Sequence, residues 1–451
     1  MNFTSVTFLF FFLPLVTALY FALRGRTARN ALLLGASLLF YSWGEGGVVL
    51  VLVASILVNH VLSQRIAMRA QPWLAVGIVA NLALLVVYKY LGLIFDTLGL
   101  DYTAPSLPIG ISFFTFQSIS LLVDVSRGAK PASSLMRTGL YISMFPQLVA
   151  GPIVRWDEIR AQIERRQESW AGFCDGAKLF VLGLSQKVLI ADQVSVLADQ
   201  AFDPAVSGTL STGSAWLGLS AYTIQIFFDF AGYSNMAIGM GRVFGFELPQ
   251  NFAHPYSSGS FREFWRRWHI TLSRWFRDYL YIPLGGSRVG PVATYRNLLI
   301  VFVLCGFWHG AMWTFLLWGL WHGAFLIAER VGAKAGFPRL PRVVGVAYTV
   351  LFVALGWVLF RASSLEHAVA YWGDLLPGEG TATLSVKESA LYALVFGVVL
   401  SWDKVTQWGE GMNPNGTFGA TLRWAAVLVL LVLCFADVAT STYRPFLYFR
   451  F

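Results

Sequence analysis

Two histidines within one apolar stretch are the residues best suited to chemistry in this chain. His309 and His322 each stand in a Trp-His-Gly tripeptide inside the run LLIVFVLCGFWHGAMWTFLLWGLWHG. An ionisable group is costly inside a bilayer, so a histidine in such a run is a candidate functional residue. Neutral imidazole, with an unperturbed pKa of about 6.5, can accept a proton from an attacking hydroxyl at neutral pH. From position alone, general base catalysis and a structural hydrogen bond to a neighbouring helix are equal alternatives for His309.

The glycines around these histidines predict close helix packing. Gly306 and Gly310 stand beside His309 with the small-xxx-small spacing that lets membrane helices approach closely, and Gly319 and Gly323 repeat it around the second histidine. If one continuous helix carried both histidines, a rotation of about 100° per residue would turn the two rings to nearly opposite sides. We therefore expect the two rings to occupy separate sites, with a structural role for the second.

A basic and aromatic segment, RRWHITLSRWFRDYLYIPLGGSR, precedes this run and is amphipathic, as expected of a segment at a membrane surface. Its arginines could snorkel to anionic lipid headgroups, or could recognise a phosphorylated, adenine-bearing cytosolic donor such as coenzyme A. His269 could orient a substrate or shuttle a proton, or could be an interfacial residue packed by Trp265. The residues that we expect to bind the donor or substrate are Arg266, Arg267, Trp268, Arg277, Asp278, Tyr281, Trp308 and Asn235.

Composition places these residues in a membrane protein. Of the 451 residues, 56% are hydrophobic and 13% are charged, against about 25% charged in an ordinary soluble protein. The net charge of +9 fits basic cytoplasmic loops, and we expect no nucleic-acid partner. Arg24, Arg26 and Arg29 follow the first apolar run, which predicts that its far end is cytoplasmic and that the N-terminus lies outside.

The apolar runs predict an all-α polytopic fold with about eleven transmembrane helices, plus re-entrant and interfacial helices around a central funnel or tunnel. We expect a single membrane domain, 1–451, ending in an aromatic tail, 445–451, that inserts rather than remaining in water. Prolines and glycines in PSLPIG predict a broken helix start. Asp229 and Asn235, embedded in FFDFAGYSNMAIG, need partners in the bundle and are as suited to helix packing as to lining a pocket. Lys178, Lys187 and Asp192 suggest that part of the apolar run from Gly176 to Leu197 is interfacial.

Several enzyme classes lack their motifs here. The sequence contains no GxSxG nucleophile elbow, no GKS or GKT phosphate loop, and no HExxH or CxxC metal motif. Serine hydrolases, ATP-driven pumps and zinc proteases are therefore disfavoured, and we expect neither a metal nor a bound cofactor.

Longer motifs resemble one known family. EFWRRWHITLSRWFRDYLYIPLGG, GFWHGAMWTFLLWGLWHG, LPIGISFFTFQSIS, FPQLVAGPIVR, FFDFAGYSNMAIGMG, NFAHPY, GWVLFRA and the terminal FLYFRF resemble the membrane-bound O-acyltransferase superfamily, in its bacterial alginate O-acetyltransferase branch. The resemblance covers nearly the whole chain. It implies a multi-pass enzyme of the inner membrane that takes an acetyl group from cytosolic acetyl-CoA and delivers it to an extracytoplasmic polysaccharide.

The resemblance also implies roles for single residues. The catalytic histidine of the superfamily matches His309, and its second histidine matches His269. The tail is similar to the FLYxxF motif of relatives that work on teichoic acids, which would make Tyr448 an acyl relay. The implied partners are acetyl-CoA, membrane lipids, the polysaccharide and an extracytoplasmic SGNH-type acetyltransferase. A D-alanyl transferase and a non-enzymatic transporter or flippase are the alternatives.

Overall fold

The computed structural model describes residues 1–103, 105–404, 416–440 and 446–447. In this part of the chain the regular structure is helical, and the only β geometry is an isolated parallel bridge between Leu210 and Ala382. The all-α prediction is confirmed.

The α-helices fall into two groups along the chain. The first ten are α1 (Leu13–Ala22), α2 (Arg26–Glu45), α3 (Val49–Met68), α4 (Ala70–Leu85), α5 (Leu91–Thr97), α6 (Ile111–Ser126), α7 (Leu135–Ser143), α8 (Phe145–Leu148), α9 (Trp156–Arg165) and α10 (Trp170–Ser185). The second group is α11 (Asp192–Ala201), α12 (Thr212–Val243), α13 (Phe261–Arg267), α14 (Ile270–Phe276), α15 (Pro291–His309), α16 (Trp313–Lys334), α17 (Arg342–Arg361), α18 (Leu365–Asp374), α19 (Glu388–Leu400) and α20 (Gly416–Thr440). Four short π-helical segments adjoin these helices, at Thr7–Phe12, Val86–Tyr90, Gln186–Ala191 and Arg277–Tyr281.

The protein is a multi-pass membrane protein. Six ranges of the described residues are long and apolar enough to cross a bilayer, and three shorter helical ranges are also apolar. This is fewer than the eleven passes predicted, partly because prolines and glycines divide some of the predicted runs. The six ranges are Arg26–Met68, Gln71–Thr97, Trp170–Ala201, Pro291–His309, Arg342–Arg361 and Gly419–Thr440.

The break predicted before α6 is present. Gly110 has φ +77°, in the left-handed region that favours glycine. A Cβ at this position would lie 2.6 Å from the carbonyl oxygen of Leu148, so the loop can approach the end of α8 only with glycine here. The extended residue Met144 separates α7 from α8, and Pro146 follows within the first turn of α8.

The described residues divide into two compact units. The first unit comprises Met1–Leu184 and Tyr233–Gln250, together with 438–440 and 446–447. The single membrane domain expected from the sequence stays a prediction. An aromatic cluster forms part of the core of the first unit. The rings of this cluster belong to Phe3, Phe8, Phe12, Phe40 and Phe145.

The second unit comprises Ser185–Gly232, together with 251–404 and 416–437. The indoles of Trp268, Trp318 and Trp357 are among its largest fully buried side chains.

A buried group of charges links two helices of the second unit. Lys187 is 2% exposed, and its Nζ lies 2.5 Å from Asp229 and 2.6 Å from Asp192. The prediction that Asp229 has a partner in the bundle is confirmed. Two carboxylates compensate the charge of Lys187 and allow it to be buried. The interfacial position expected for part of this run stays a prediction.

Candidate active site

His309 lies where a membrane helix ends. Helix α15 begins with Pro291 after Gly290, whose φ is +89°, and ends at His309 itself. Gly310 has extended backbone, and α16 begins only at Trp313. The imidazole therefore stands at a break between two helices, not in the middle of one.

Glycine allows α15 and α16 to touch along their backbones. A Cβ at Gly306 would overlap the carbonyl oxygen of Phe315, and a Cβ at Gly319 would overlap the carbonyl oxygen of Phe302. At Gly310 a Cβ would collide with the ring of Phe315. The close approach predicted from the glycine spacing is confirmed.

Aromatic rings surround the imidazole of His309, which is 3% exposed. Its ring centroid lies 4.9 Å from Trp308, 5.0 Å from Trp318 and 5.1 Å from Phe360. The opposed orientation expected for the second histidine was wrong, because the assumed continuous helix does not exist. The ring of His322 lies 4.8 Å from the same Trp318, so one indole contacts both imidazoles.

His269 is the second histidine of this site. It precedes α14 with φ +41° and ψ +55°, is fully buried, and lies 6.5 Å from the ring of His309. Its Nδ1 is 3.0 Å from Oδ1 of Asn251, an oxygen that also accepts a hydrogen bond of 2.9 Å from the hydroxyl of Thr271. Since that oxygen accepts, Nδ1 carries the proton of the neutral ring, and Nε2 carries the lone pair.

The surroundings of His269 keep its ring neutral. It lies outside the six candidate membrane-spanning ranges, and burial lowers its pKa to about 3. Phe230 meets the imidazole edge to face at 4.7 Å, and Trp308 lies 5.8 Å away. Within the described residues, Nε2 has no hydrogen-bond partner. A neutral ring with an available lone pair can accept a hydrogen bond.

The residues expected to bind the donor occupy different surroundings. Trp308 is buried between His269 and His309. Arg266 is exposed, and no ion pair involves it in the described part of the chain. Arg267 is bound to Glu263 at 2.8 Å and to Asp403 at 3.3 Å.

The other residues expected to bind the donor include one buried core residue, one paired arginine and one residue of the first unit. Trp268 is 1% exposed and packs against Trp357 at 4.9 Å, a position that suits the core better than contact with a soluble donor. Arg277 pairs with Asp278 at 2.6 Å, and Tyr281 is half-buried. Asn235 lies in α12, within the first unit.

The C-terminal tail is described only in part, and Tyr448 lies outside the described residues. Phe446 and Leu447, just before it, are buried. The ring of Phe446 stacks at 4.6 Å on Tyr233, which stacks at 4.3 Å on Phe3. The prediction that the tail inserts is confirmed for these two residues.

Asn251 was missed in the sequence. It fixes the orientation of His269, yet it lies eighteen residues before that histidine, in a loop between α12 and α13. The available signal was its position as the first residue of NFAHPY, one of the motifs that carried the family resemblance.

Comparisons with known proteins find relatives along the whole chain. A family model for the membrane-bound O-acyltransferase family matches residues 125–335, which include both histidines. The chain is 39% identical to "Probable alginate O-acetylase AlgI" of Pseudomonas putida over the full length of both. It is 38% identical to "Peptidoglycan O-acetyltransferase" of Helicobacter pylori, over 86% of this chain and 82% of the relative. It is 29% identical to "Teichoic acid D-alanyltransferase" of Bacillus subtilis, over 45% of this chain and 53% of the relative.

Proposed function

This chain belongs to the membrane-bound O-acyltransferase family, and on that premise we propose that it transfers acetyl groups from cytosolic acetyl-CoA across the inner membrane to an extracytoplasmic polysaccharide. Being a multi-pass O-acyltransferase follows from the family and the helices. The acetyl group and the polysaccharide are supported by relatives named for the acetylation of alginate and of peptidoglycan.

The observation that carries the proposal is a pair of neighbouring buried imidazoles. His309 is buried at the end of α15, and the ring of His269, which precedes α14, lies 6.5 Å away. Imidazole suits proton transfer near pH 7, because its unperturbed pKa is about 6.5. The two side chains come from parts of the chain forty residues apart, so the fold, not local sequence, assembles them.

In the proposed reaction His309 acts as general base. It accepts the proton of a hydroxyl group while the hydroxyl oxygen attacks the thioester carbon of acetyl-CoA. The carbon–oxygen bond forms, the carbon–sulfur bond breaks, and the proton passes from the imidazole to the departing thiolate. The products are an acetyl ester and free coenzyme A, and general base catalysis of this kind contributes roughly 10² to 10⁴-fold.

Asn251 and His269 would support this step from one side. The hydrogen bond from Nδ1 of His269 to Asn251 directs the Nε2 lone pair of His269 away from Asn251. That atom can accept a hydrogen bond from the substrate or from the reacting hydroxyl. Exposed arginines such as Arg266 would hold the phosphates of the donor, since guanidinium groups bind phosphate oxygens in pairs.

Tyr448 would carry the acetyl group as a relay. Its neighbours Phe446 and Leu447 are buried, which supports an anchored tail instead of a freely moving one. The acetyl-tyrosine would then be discharged by an SGNH-type partner on the other side of the membrane. D-alanyl transfer is the weaker alternative, since the D-alanyltransferases match only about half of the chain.

Radiolabelled acetyl-CoA tests the reaction directly. Purified protein in nanodiscs should release free coenzyme A thiol and should incorporate label when a polysaccharide acceptor and its extracytoplasmic partner are supplied. A carrier protein that bears radiolabelled D-alanine serves as the competing donor. Faster transfer of D-alanine than of acetyl groups would overturn the proposed donor.

Tyr448→Phe tests the relay separately. The substitution keeps the ring and removes the hydroxyl, so label should no longer be recovered on the protein and polymer acetylation should stop. Polymer acetylation at the normal rate would reduce the tail to an anchor while leaving the role of His309 intact.

A further inference from the structure

The first unit contains a cavity in addition to the histidine site. It has a volume of about 520 Å³ and lies between the end of α1 and the start of α10. Its walls combine two chemistries, because aromatic rings stand beside a charged pair. The lining residues are Thr17, Ala18, Phe21, Arg29, Glu168, Ser169, Trp170 and Phe173.

Positive charge exceeds negative charge at the floor of this cavity. The carboxylate of Glu168 lies 2.5 Å from Arg26, 3.0 Å from Arg29 and 3.8 Å from Arg166. Three guanidinium groups thus share one carboxylate, which leaves an excess of two positive charges. Burial favours the protonated form of Glu168, but hydrogen bonds from Arg26 and Tyr20 outweigh it and lower the pKa of Glu168 to about 2, so the carboxylate stays ionised. A singly charged anion placed here would offset half of this excess.

Arg29 is the guanidinium that can reach such an anion. Its Nε donates to the backbone oxygen of Leu23 at 3.1 Å, and its Nη1 pairs with Glu168. Nη2 has no partner within the described residues, and the side chain is 21% exposed. By contrast, Nη1 and Nη2 of Arg26 are bound to Glu168 and to the backbone oxygen of Arg166.

The rim of the cavity is apolar and open to the outside. Trp170 is 77% exposed and stacks on Phe173 at 5.3 Å, and Phe173 in turn touches Phe21 at 5.8 Å. Phe21 is itself 42% exposed, and Leu15 and Leu19 on the same helix are 60% and 44% exposed. Exposed apolar side chains therefore extend from the cavity along α1.

We propose that this cavity binds an anionic phospholipid of the cytoplasmic leaflet, with its phosphate on Arg29 and its acyl chains along the rings of Phe21, Trp170 and Phe173. The positive-inside rule places this end of the first apolar helix at the cytoplasmic surface. Tryptophan at the rim is typical of the headgroup level of a bilayer. A soluble phosphate would satisfy Arg29 but would make no use of the aromatic lining formed by Phe21, Trp170 and Phe173.

Native mass spectrometry of detergent-purified full-length protein tests the site. Palmitoyl-oleoyl-phosphatidylglycerol is the ligand, and the zwitterionic phosphatidylcholine of the same chains is the reference. We expect one phosphatidylglycerol to be retained preferentially. Arg29→Gln should weaken its binding by about tenfold, the effect of one charge-assisted hydrogen bond.

Two controls separate the site from general charge attraction and from misfolding. Arg24→Gln removes the same charge from an exposed residue that does not line the cavity, so it should weaken binding by less than about twofold. Trp170→Ala changes a mostly exposed ring and should still weaken binding by about fivefold, since part of the acyl-chain contact is lost. Equal weakening in Arg29→Gln and Arg24→Gln would overturn the proposal.

Inorganic phosphate and coenzyme A provide the competing arm. Neither should displace the lipid at millimolar concentration, and displacement by either would overturn the lipid assignment in favour of a soluble phosphate. Lipid occupancy is measured without acetyl transfer, so failure here is distinguishable from failure of the proposed enzyme activity.

Discussion

The same tripeptide, Trp-His-Gly, occupies two different places in this protein. His309 ends α15 beside a second histidine at 6.5 Å. His322 lies within α16, fully buried, with the rings of Phe261 at 5.4 Å and Trp265 at 5.2 Å. Within the described residues, neither ring nitrogen of His322 has a hydrogen-bond partner.

The tryptophans of the two tripeptides also differ, because one contacts the histidine pair and the other joins two helices. Trp308 is buried and faces both His309 and His269. Trp321 donates its indole N–H to the backbone oxygen of Phe352 at 2.9 Å, which fixes α16 to α17. The comparison teaches that position relative to the helix break, and not the tripeptide, distinguishes a candidate base from a packing residue.

The largest expected effect is on acetyl transfer in His309→Ala. Loss of a general base should reduce the rate by about 10² to 10⁴-fold, measured as thiol release from acetyl-CoA by protein of verified monodispersity. If the rate stays within tenfold of the wild type, the difference between the two tripeptides is not catalytic.

Asn251→Ala tests whether acetyl transfer depends on the orientation of the His269 ring. Without the acceptor for Nδ1, His269 can rotate or change tautomer, and the transfer rate should fall roughly tenfold to a hundredfold. Asn251→Asp keeps an acceptor and should restore most of the rate. Thr271→Val removes the hydroxyl that donates to the same oxygen and serves as the matched control, with little expected change.

The two glycines of the tripeptides should differ in their effect on stability. In Gly310→Ala the new Cβ collides with the buried ring of Phe315, so the free energy of unfolding should fall by about 1 to 3 kcal/mol. In Gly323→Ala the nearest atom is Cβ of Phe302 at 3.2 Å, and the helix propensity gained, about 1 kcal/mol, should offset most of the crowding. Thermal unfolding in detergent should show a lower Tm for the first variant only, and similar Tm values would contradict the packing difference.

Acid should destabilise the protein through His269. Its folded pKa of about 3 lies below the unfolded value of about 6.5, so the unfolded chain binds more protons between these two values. The stabilising contribution is present above about pH 6.5 and is lost as the pH falls toward 3. His269→Gln should give a shallower fall of Tm between about pH 7 and pH 5, and an unchanged slope would show that the ring does not resist protonation.

The smallest effect is expected for His322→Phe. Replacing a buried imidazole that makes no described hydrogen bond by a ring of similar shape should leave the transfer rate within about twofold and the stability unchanged or higher. A loss of transfer as large as that of His309→Ala, in folded protein, would place both tripeptides in one site.

Much of this could be predicted from the sequence because apolarity and glycine spacing act locally. The membrane helices, the break before α6 and the close packing at Gly306 each follow from a few neighbouring residues. His309 and His322 were singled out for the same reason, since a histidine in an apolar run is conspicuous.

The remaining features depend on contacts between distant parts of the chain. Lys187 is buried because Asp229, forty-two residues later, faces it. The shared contact of both histidines with Trp318 depends on a helix break of three residues, and a rotation rule for continuous helices cannot anticipate it. Asn251 also escaped prediction, because it lies in the loop before α13 and only the folded chain brings it to His269.

The backbone contact at Gly306 and Gly319 limits how an acyl group can cross the membrane. Two helices joined in this way form a stiff wall that cannot open as a gate without losing its tightest packing. Alternating access, in which parts of a carrier rock to expose a site first to one side and then to the other, would require such an opening. We therefore expect the acyl group to travel past a stationary imidazole, with direction set by the donor and the acceptor.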